Sequence, residues 1–124
     1  MPHVHFLAAW QSNDIETIKS IVAKDIKTNI VYQDGTEKSL SYDDFVGLLK
    51  KRLDAVDLND REWQFDVLYK TERCSANIVV IKVATGDLKF TQSPTGALCI
   101  FTFDTVVDKR QLVRAYIELD VTNK

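Results

Sequence analysis

The chain reads as an α+β fold in which a curved antiparallel sheet wraps around N-terminal helices, giving a small cone with an interior pocket. Three observations predict it. Residues Asn13 to Gly35 carry a capped amphipathic helix almost directly into a strand that ends in an Asp-Gly turn. The apolar period is helical through the N-terminal half and changes to two from Trp63 onward. Helices first and alternating strands afterwards is the order expected of helices segregated on one side of a sheet.

Each element follows from local chemistry. Pro2 suits a first helical turn, and Phe6, Leu7 and Trp10 share one face of a short helix. Asn13 is expected to cap the next helix with Glu16 reaching back three residues later, and Ile15, Ile18, Ile21 and Val22 form its buried stripe. Ile26 to Gln33, rich in β-branched and aromatic residues, reads as a strand; Asp34-Gly35 supplies the positive backbone angles of a tight hairpin, and Thr36 to Leu40 returns. Ser41 caps a third helix, with Asp44 in the capping-box position and Phe45, Leu49, Leu53 and Val56 along one face.

Four alternating runs complete the chain. Trp63, Phe65, Val67 and Tyr69 lie on one face of the first, and Val79, Ile81 and Val83 on one face of the second. Gly86 and Ser93-Pro94-Thr95-Gly96 break the pattern before Cys99, Phe101 and Phe103; Val113, Ala115, Ile117 and Leu119 then make the apolar face of the last strand. Thr122 to Lys124 reads as a frayed tail.

Length and composition narrow the function classes. A chain of 124 residues is expected to form one domain, residues 1–124, burying about two-thirds of its unfolded surface. Sixteen Lys and Arg against eighteen Asp and Glu give a net charge of -2. The one dense basic run, Lys50-Lys51-Arg52, sits where a helix is expected to end, a placement the helix dipole favours without any nucleic-acid partner. Two cysteines make no disulfide framework, and the N-terminus has no long apolar core, so a cytoplasmic location is expected. No apolar run approaches the roughly 20 residues that cross a bilayer, and no membrane partner is expected.

The order of elements resembles the nuclear transport factor 2-like superfamily, a cystatin-like α+β cone that also serves ketosteroid isomerase and the polyketide cyclase-like proteins. The resemblance covers nearly the whole chain. Its carriers are Asn13-Asp14-Ile15-Glu16, Ala23 to Tyr32, Gly35 and Phe103-Asp104. It implies a homodimer formed through the convex sheet face. A residue-by-residue comparison argues against isomerase chemistry: the position of that enzyme's hydrogen-bonding tyrosine falls on Phe6, its catalytic base on Ile30 and its protonated aspartate on Cys99.

Other polar residues remain as candidates. His5 can overhang the pocket mouth as a base or be a solvated residue near the terminus; Tyr32 and Tyr69 fall on the face expected to look inward; Asp104 is a further proton-transfer candidate. His3 and His5 fall on different sides of a helix and no cluster completes a metal site, so neither metal nor cofactor is expected. Cys99 stands among aromatic residues, where a cysteine fills space as a small apolar group. Arg114, Tyr116 and Glu118 belong to the outer face unless the register slips by one residue.

Two readings of function follow. In the first, Phe6, Trp10, Ile30, Tyr32, Trp63, Phe65, Cys99, Phe101 and Phe103 line a mostly apolar cavity that holds a small hydrophobic molecule or is filled by its own side chains. In the second, a lyase, isomerase or hydrolase acts on a small apolar substrate through His5, Tyr32 or Asp104. A docking adaptor leaves no compact motif and stays open beside them.

Overall fold

Helix α1 (Pro2–Gln11) buries Phe6, Leu7, Ala9 and Trp10, the stripe its spacing requires, together with His3. The computed structural model describes residues 2–58, 62–86 and 95–122, and the elements below are drawn from these. At the end of α1, Asn13 adopts φ 55°, and the amides of Asn13 and Asp14 donate to the carbonyls of Trp10 and Ala9. This is a helix stop of the Schellman kind, with asparagine in the left-handed position that it tolerates better than most residues. Asn13 therefore ends one helix and does not cap the next. The cap of α2 (Ile15–Ile21) is Asp14, whose carboxylate accepts from the Thr17 amide at 3.2 Å and the Thr17 hydroxyl at 2.6 Å. Asn13 Nδ2 is left to donate to Asp54 and Asp57, which ties the junction to α3.

The chain passes from Ile21 straight into β1 (Val22–Val31), four residues earlier than the run of β-branched residues indicated. The turn to β2 (Glu37–Leu40) is wider than a two-residue hairpin. Of Asp34 and Gly35 only Gly35 takes a positive φ, 88°; the Asp34 carboxylate accepts from the Thr36 amide, and the Tyr32 amide donates to the Thr36 carbonyl. Ser41 Oγ accepts from the Asp44 amide at the start of α3 (Tyr42–Leu58), which buries Phe45, Val46, Leu49, Leu53 and Val56. The helix continues past Lys50-Lys51-Arg52, so this run lies within it, and Lys50 pairs with Asp54 one turn on.

The long strands β3 (Glu62–Arg73), β4 (Ala76–Gly86), β5 (Thr95–Val106) and β6 (Lys109–Thr122) form an antiparallel meander. Strand β6 then pairs in parallel with β1, so the sheet is mixed and runs β2-β1-β6-β5-β4-β3. Its two edges are consecutive in sequence, and α3 joins them. Seventeen helical residues span about 25 Å at 1.5 Å each, and six strands spaced about 4.8 Å apart are about 24 Å wide. The helix is as long as the sheet is wide, and its apolar stripe closes the concave side.

Alternation sets the faces except where strands bulge. Val79, Ile81, Val83, Cys99, Phe101 and Phe103 are buried on the concave side. In β6 the register shifts between Thr102 and Phe103, so Leu112 is fully buried opposite Phe103 while Val113, expected in the core, is only half-buried. A second shift between Val67 and Tyr69 turns Tyr69 to the convex side, where it is 63% exposed. Of the proposed tail, Thr122 ends β6 and residues 123–124 lie outside the described residues, as do Ser93 and Pro94 of the expected break. The α+β class and the helices packed against one sheet stand as the sequence predicts, but the sheet is mixed and is not closed on itself. None of the described helices is long and apolar enough to cross a membrane.

Candidate functional site

Strands β3 and β5 begin, and β4 and β6 end, at one end of the sheet, and there the concave face is only partly filled. A cavity of about 380 Å³ opens at that end. Its floor is Trp10 of α1, Ile30 of β1, Cys99 of β5 and Ile117 of β6; Phe45, Leu48 and Leu49 of α3 roof it. Trp63, Val83, Ala84 and Thr85 form one wall, and Gly96, Ala97, Leu119 and Asp120 the other, with Arg52 at the rim.

Two local devices shape that wall. A Cβ on Gly96 would lie 2.6 Å from the Val83 carbonyl oxygen, so only glycine lets β5 approach β4 so closely there. Opposite, Gly96 pairs with Val121 and Leu98 with Glu118, which leaves Ala97 facing two residues of β6. This bulge re-aims a side chain: Asp120, at φ 57°, joins Leu119 on the cavity wall where strict alternation would send it outward.

Polar side chains are few in the cavity lining: Arg52, Thr85 and Asp120, with the thiol of Cys99. Arg52 and Asp120 are exposed, border the opening and make no ion pair with each other. Trp10 and Trp63 pack edge to face with ring centroids 5.3 Å apart, and both indole N–H groups are shielded from solvent without an acceptor among the described residues. Cys99 is 1% exposed, and burial pushes its thiol up to about 12, so it stays a neutral thiol over the physiological range.

The residues singled out from sequence separate into groups. Trp10, Ile30, Trp63 and Cys99 border the cavity. Phe6, Phe101 and Phe103 lie beneath it as packed core: Phe6 is fully buried and meets Trp10, Phe101 and Phe103 edge on at 5.4 to 6.0 Å. Phe65 backs Trp10 from behind the wall, with centroids 5.5 Å apart. Tyr32 begins the hairpin turn, is 38% exposed and is not among the residues that line the cavity. His5 is exposed on α1, while His3 is buried there, and desolvation with Lys70 nearby holds the His3 imidazole below its ordinary pKa.

Asp104 sits at the opposite end of the sheet. Its carboxylate accepts from Ser75 Oγ at 2.7 Å and the Thr105 amide at 2.8 Å, and these bonds with the nearby Arg110 hold it below the usual carboxylate range. The same Arg110 donates to the Ser75 carbonyl, Asn77 Oδ1 and Thr105 Oγ1, stapling two hairpin ends together. His5, Tyr32 and Asp104 thus meet neither one another nor the cavity. Among the described residues no group of three or more His, Cys, Asp or Glu lies together as a metal site would require.

Asp120 was not picked out from the sequence, and Arg52 only as part of the basic run Lys50-Lys51-Arg52, not as a site residue. Arg52 carried a readable signal, since it lies seven residues after Phe45 and so on the same face of α3. Asp120 carried none, because its place depends on the bulge.

No known family model matches the chain, and no curated protein matches it in sequence. Solved structures do match in fold. The chain is similar to a candidate calcium/calmodulin-dependent protein kinase type II association domain from Thiobacillus denitrificans, at TM-score 0.70 and 10% identity over 95% of this chain and 91% of that one. An NTF2-like protein of unknown function from Silicibacter pomeroyi matches at TM-score 0.68 and 10% identity, covering 94% and 87%. A candidate ketosteroid isomerase from Kribbella flavida matches at TM-score 0.61 and 10% identity, covering 99% and 78%. The fold is the NTF2-like, cystatin-like cone.

Proposed function

We propose that this cone is a small-molecule-binding protein whose ligand is mainly apolar and occupies the cavity between α3 and the sheet end. The observation that carries the reading is a cavity of about 380 Å³ walled by Trp10, Ile30, Phe45, Trp63, Val83 and Ile117, with its charged groups confined to the rim. That space equals roughly a dozen water molecules, enough for an apolar body of about ten non-hydrogen atoms. Acid–base chemistry of the ketosteroid isomerase kind has no carrier here. Phe6 and Ile30 cannot move a proton, and a thiol near 12 does not ionise at neutral pH.

The lyase, isomerase or hydrolase reading would need two polar side chains converging on one point within the cavity. Among the described residues Asp120 is the one carboxylate of the lining, and no histidine or second carboxylate lines the cavity with it. Titration with 1-nonanol, followed by the fluorescence of Trp10 and Trp63, tests the favoured reading. Saturable one-to-one binding that Ala97→Phe removes supports it; no saturable response, or one that survives the filled cavity, overturns it.

The convex sheet face supports a homodimer. Backbone register lines up Tyr69, Val80, Ile100 and Tyr116 in one row across four strands, continued by Asn29 and Ser39. Arg114 and Glu118 flank the row on β6, and Tyr116 donates to Glu118 at 2.7 Å. Sedimentation equilibrium is expected to give a dimer that Ile100→Asp splits; a wild-type monomer at tens of micromolar refutes the assembly.

A further inference from the structure

We infer that a second copy docks on the convex face about a two-fold axis running along the row Tyr69, Val80, Ile100 and Tyr116, so that Arg114 of each copy pairs with the partner's Glu118. This pairing rests on the homodimer reading of that face and adds to it the axis and the contacts that fix the axis.

The row forms an apolar strip across four neighbouring strands, with Tyr69 and Tyr116 exposed and Val80 and Ile100 half-buried. Charge is sorted on either side of it. Toward the Asp104 end, backbone register sets Lys27, Arg114, Thr102, Ile78 and Thr71 in the adjacent row, which holds two cations and no anion. Toward the cavity end the adjacent row is Glu37, Val31, Glu118, Leu98, Lys82 and Asp66. Lys82 and Asp66 stand opposite each other on β4 and β3, which leaves Glu37 and Glu118 as the net charge of that row.

The two charges beside Tyr116 are set up for a partner outside the chain. Arg114 is exposed and makes no hydrogen bond or ion pair among the described residues. Asp104, the carboxylate near it, is already engaged by Ser75, Thr105 and Arg110. Glu118 is oriented by the Tyr116 hydroxyl, which donates to it at 2.7 Å.

Two identical faces that meet about one two-fold have the axis lying between them, parallel to both sheets. With the axis along the strands, each row would meet its own copy, cation against cation and carboxylate against carboxylate. With the axis along the strip, the strands of the two copies run opposite ways and the cationic row covers the partner's acidic row. Arg114 then lies over the partner's Glu118, and the contact occurs twice. Both residues are two positions from Tyr116, about 7 Å along the strand at roughly 3.4 Å a residue. A crossing angle of about 30° displaces them by only about 3.5 Å, which an arginine side chain spans between sheets about 10 Å apart.

Native mass spectrometry of the full chain tests the axis by charge exchange. Arg114→Glu and Glu118→Arg each bring like charges together at both contacts and are expected to weaken the dimer roughly tenfold or more. Mixed in equal amounts, the two single variants are expected to form heterodimers as stable as the wild-type dimer, because opposite charges then meet at both contacts. The double variant Arg114→Glu/Glu118→Arg is expected to recover the dimer as well, and circular dichroism checks each variant for an unchanged fold. If both single variants dimerise as the wild type does, or show no preference for each other, the axis is overturned while the convex dimer stands. Preferential pairing of Arg114→Glu with the wild-type chain would set the axis along the strands and overturn it too. A wild-type monomer at tens of micromolar, or a dimer that Ile100→Asp leaves intact, removes the convex assembly and the axis together.

Discussion

Cys99 offers a direct probe of how dry the cavity floor is. Burial raises the thiol from 9.0 to about 12, so the folded chain keeps its proton after an unfolded thiol has lost it. The sign follows from linkage: neutral burial favours the fold fully below pH 9, and this contribution is lost as pH rises from 9 toward 12. At pH 11 the unfolded thiol is about a hundredfold more ionised than not, and at about 1.36 kcal/mol per unit the fold has lost roughly 2–3 kcal/mol. Because pH 11 still lies below the folded value, the loss is governed mainly by the unfolded thiol.

The assay is urea unfolding at pH 8 and pH 11, with reductant, in a Cys74→Ser background that leaves Cys99 as the lone thiol. Trp10 and Trp63 report the transition. Lysines and tyrosines titrate alike in the parent and in a Cys99→Ala variant, so their contributions cancel in the difference. Between the two pH values the stability advantage of the parent over Cys99→Ala is expected to shrink by about 2–3 kcal/mol, about 1 M in urea midpoint at a slope near 2 kcal/mol/M. An advantage that stays constant within about 0.5 kcal/mol would mean that the thiol ionises equally in both states, and the dry cavity floor would be refuted.

Further expectations concern the scaffold that shapes the site. Val107 and Asp108 form the two-residue turn between β5 and β6 with φ of 47° and 64°, an arrangement that suits Asn-Gly and penalises a β-branched residue. Val107→Asn combined with Asp108→Gly should raise stability by about 1–2 kcal/mol in urea unfolding, and a lower midpoint would count against the strain. Gly96→Ala should cost more than about 1 kcal/mol, because the Cβ meets Val83 backbone that no rotamer change can move, and it should also weaken 1-nonanol binding. Arg110→Ala should destabilise by about 1 kcal/mol with nonanol affinity unchanged, since the staple lies at the far end of the sheet; a loss of affinity would contradict that separation. Tyr32→Phe should leave nonanol binding as it is, in keeping with its exposure on the hairpin.

The sequence showed what depends on period and left obscure what depends on interruptions of period. The stripes of α1 and α3, the alternation of β3 to β5 and the outward placement of Arg114 and Tyr116 follow from side-chain spacing alone. Three local irregularities were invisible. Asn13 reads as an N-cap because asparagine favours both that position and the left-handed helix stop, and only the two α1 carbonyls that accept bonds from the amides of Asn13 and Asp14 decide between them. The shift at Phe103 exchanges Val113 for Leu112 in the core, an exchange that two neighbouring aliphatic residues cannot signal. The bulge opposite Ala97 moves Asp120 onto the cavity wall with no glycine in β6 to mark it. Parallel pairing of β1 with β6 was equally unreadable, since it joins segments more than eighty residues apart.

These irregularities bear on the cavity itself. A regular sheet of this curvature, roofed by a helix as long as the sheet is wide, would direct only the apolar members of each strand inward and would close over a carbon core, as it does around Phe6, Phe101 and Phe103. At the other end the pattern changes: Gly96 adds no side-chain volume, and the β6 bulge sets Asp120 beside Leu119 at the edge of the space that remains. Both changes cost stability, one through a flexible residue and the other through a left-handed aspartate. If the cavity were only a packing fault, filling it should stabilise the chain at no loss. Ala97→Leu separates the cases: added stability with nonanol binding retained would mark a fault, whereas added stability with binding abolished would show that the open end of the cone is kept for a ligand.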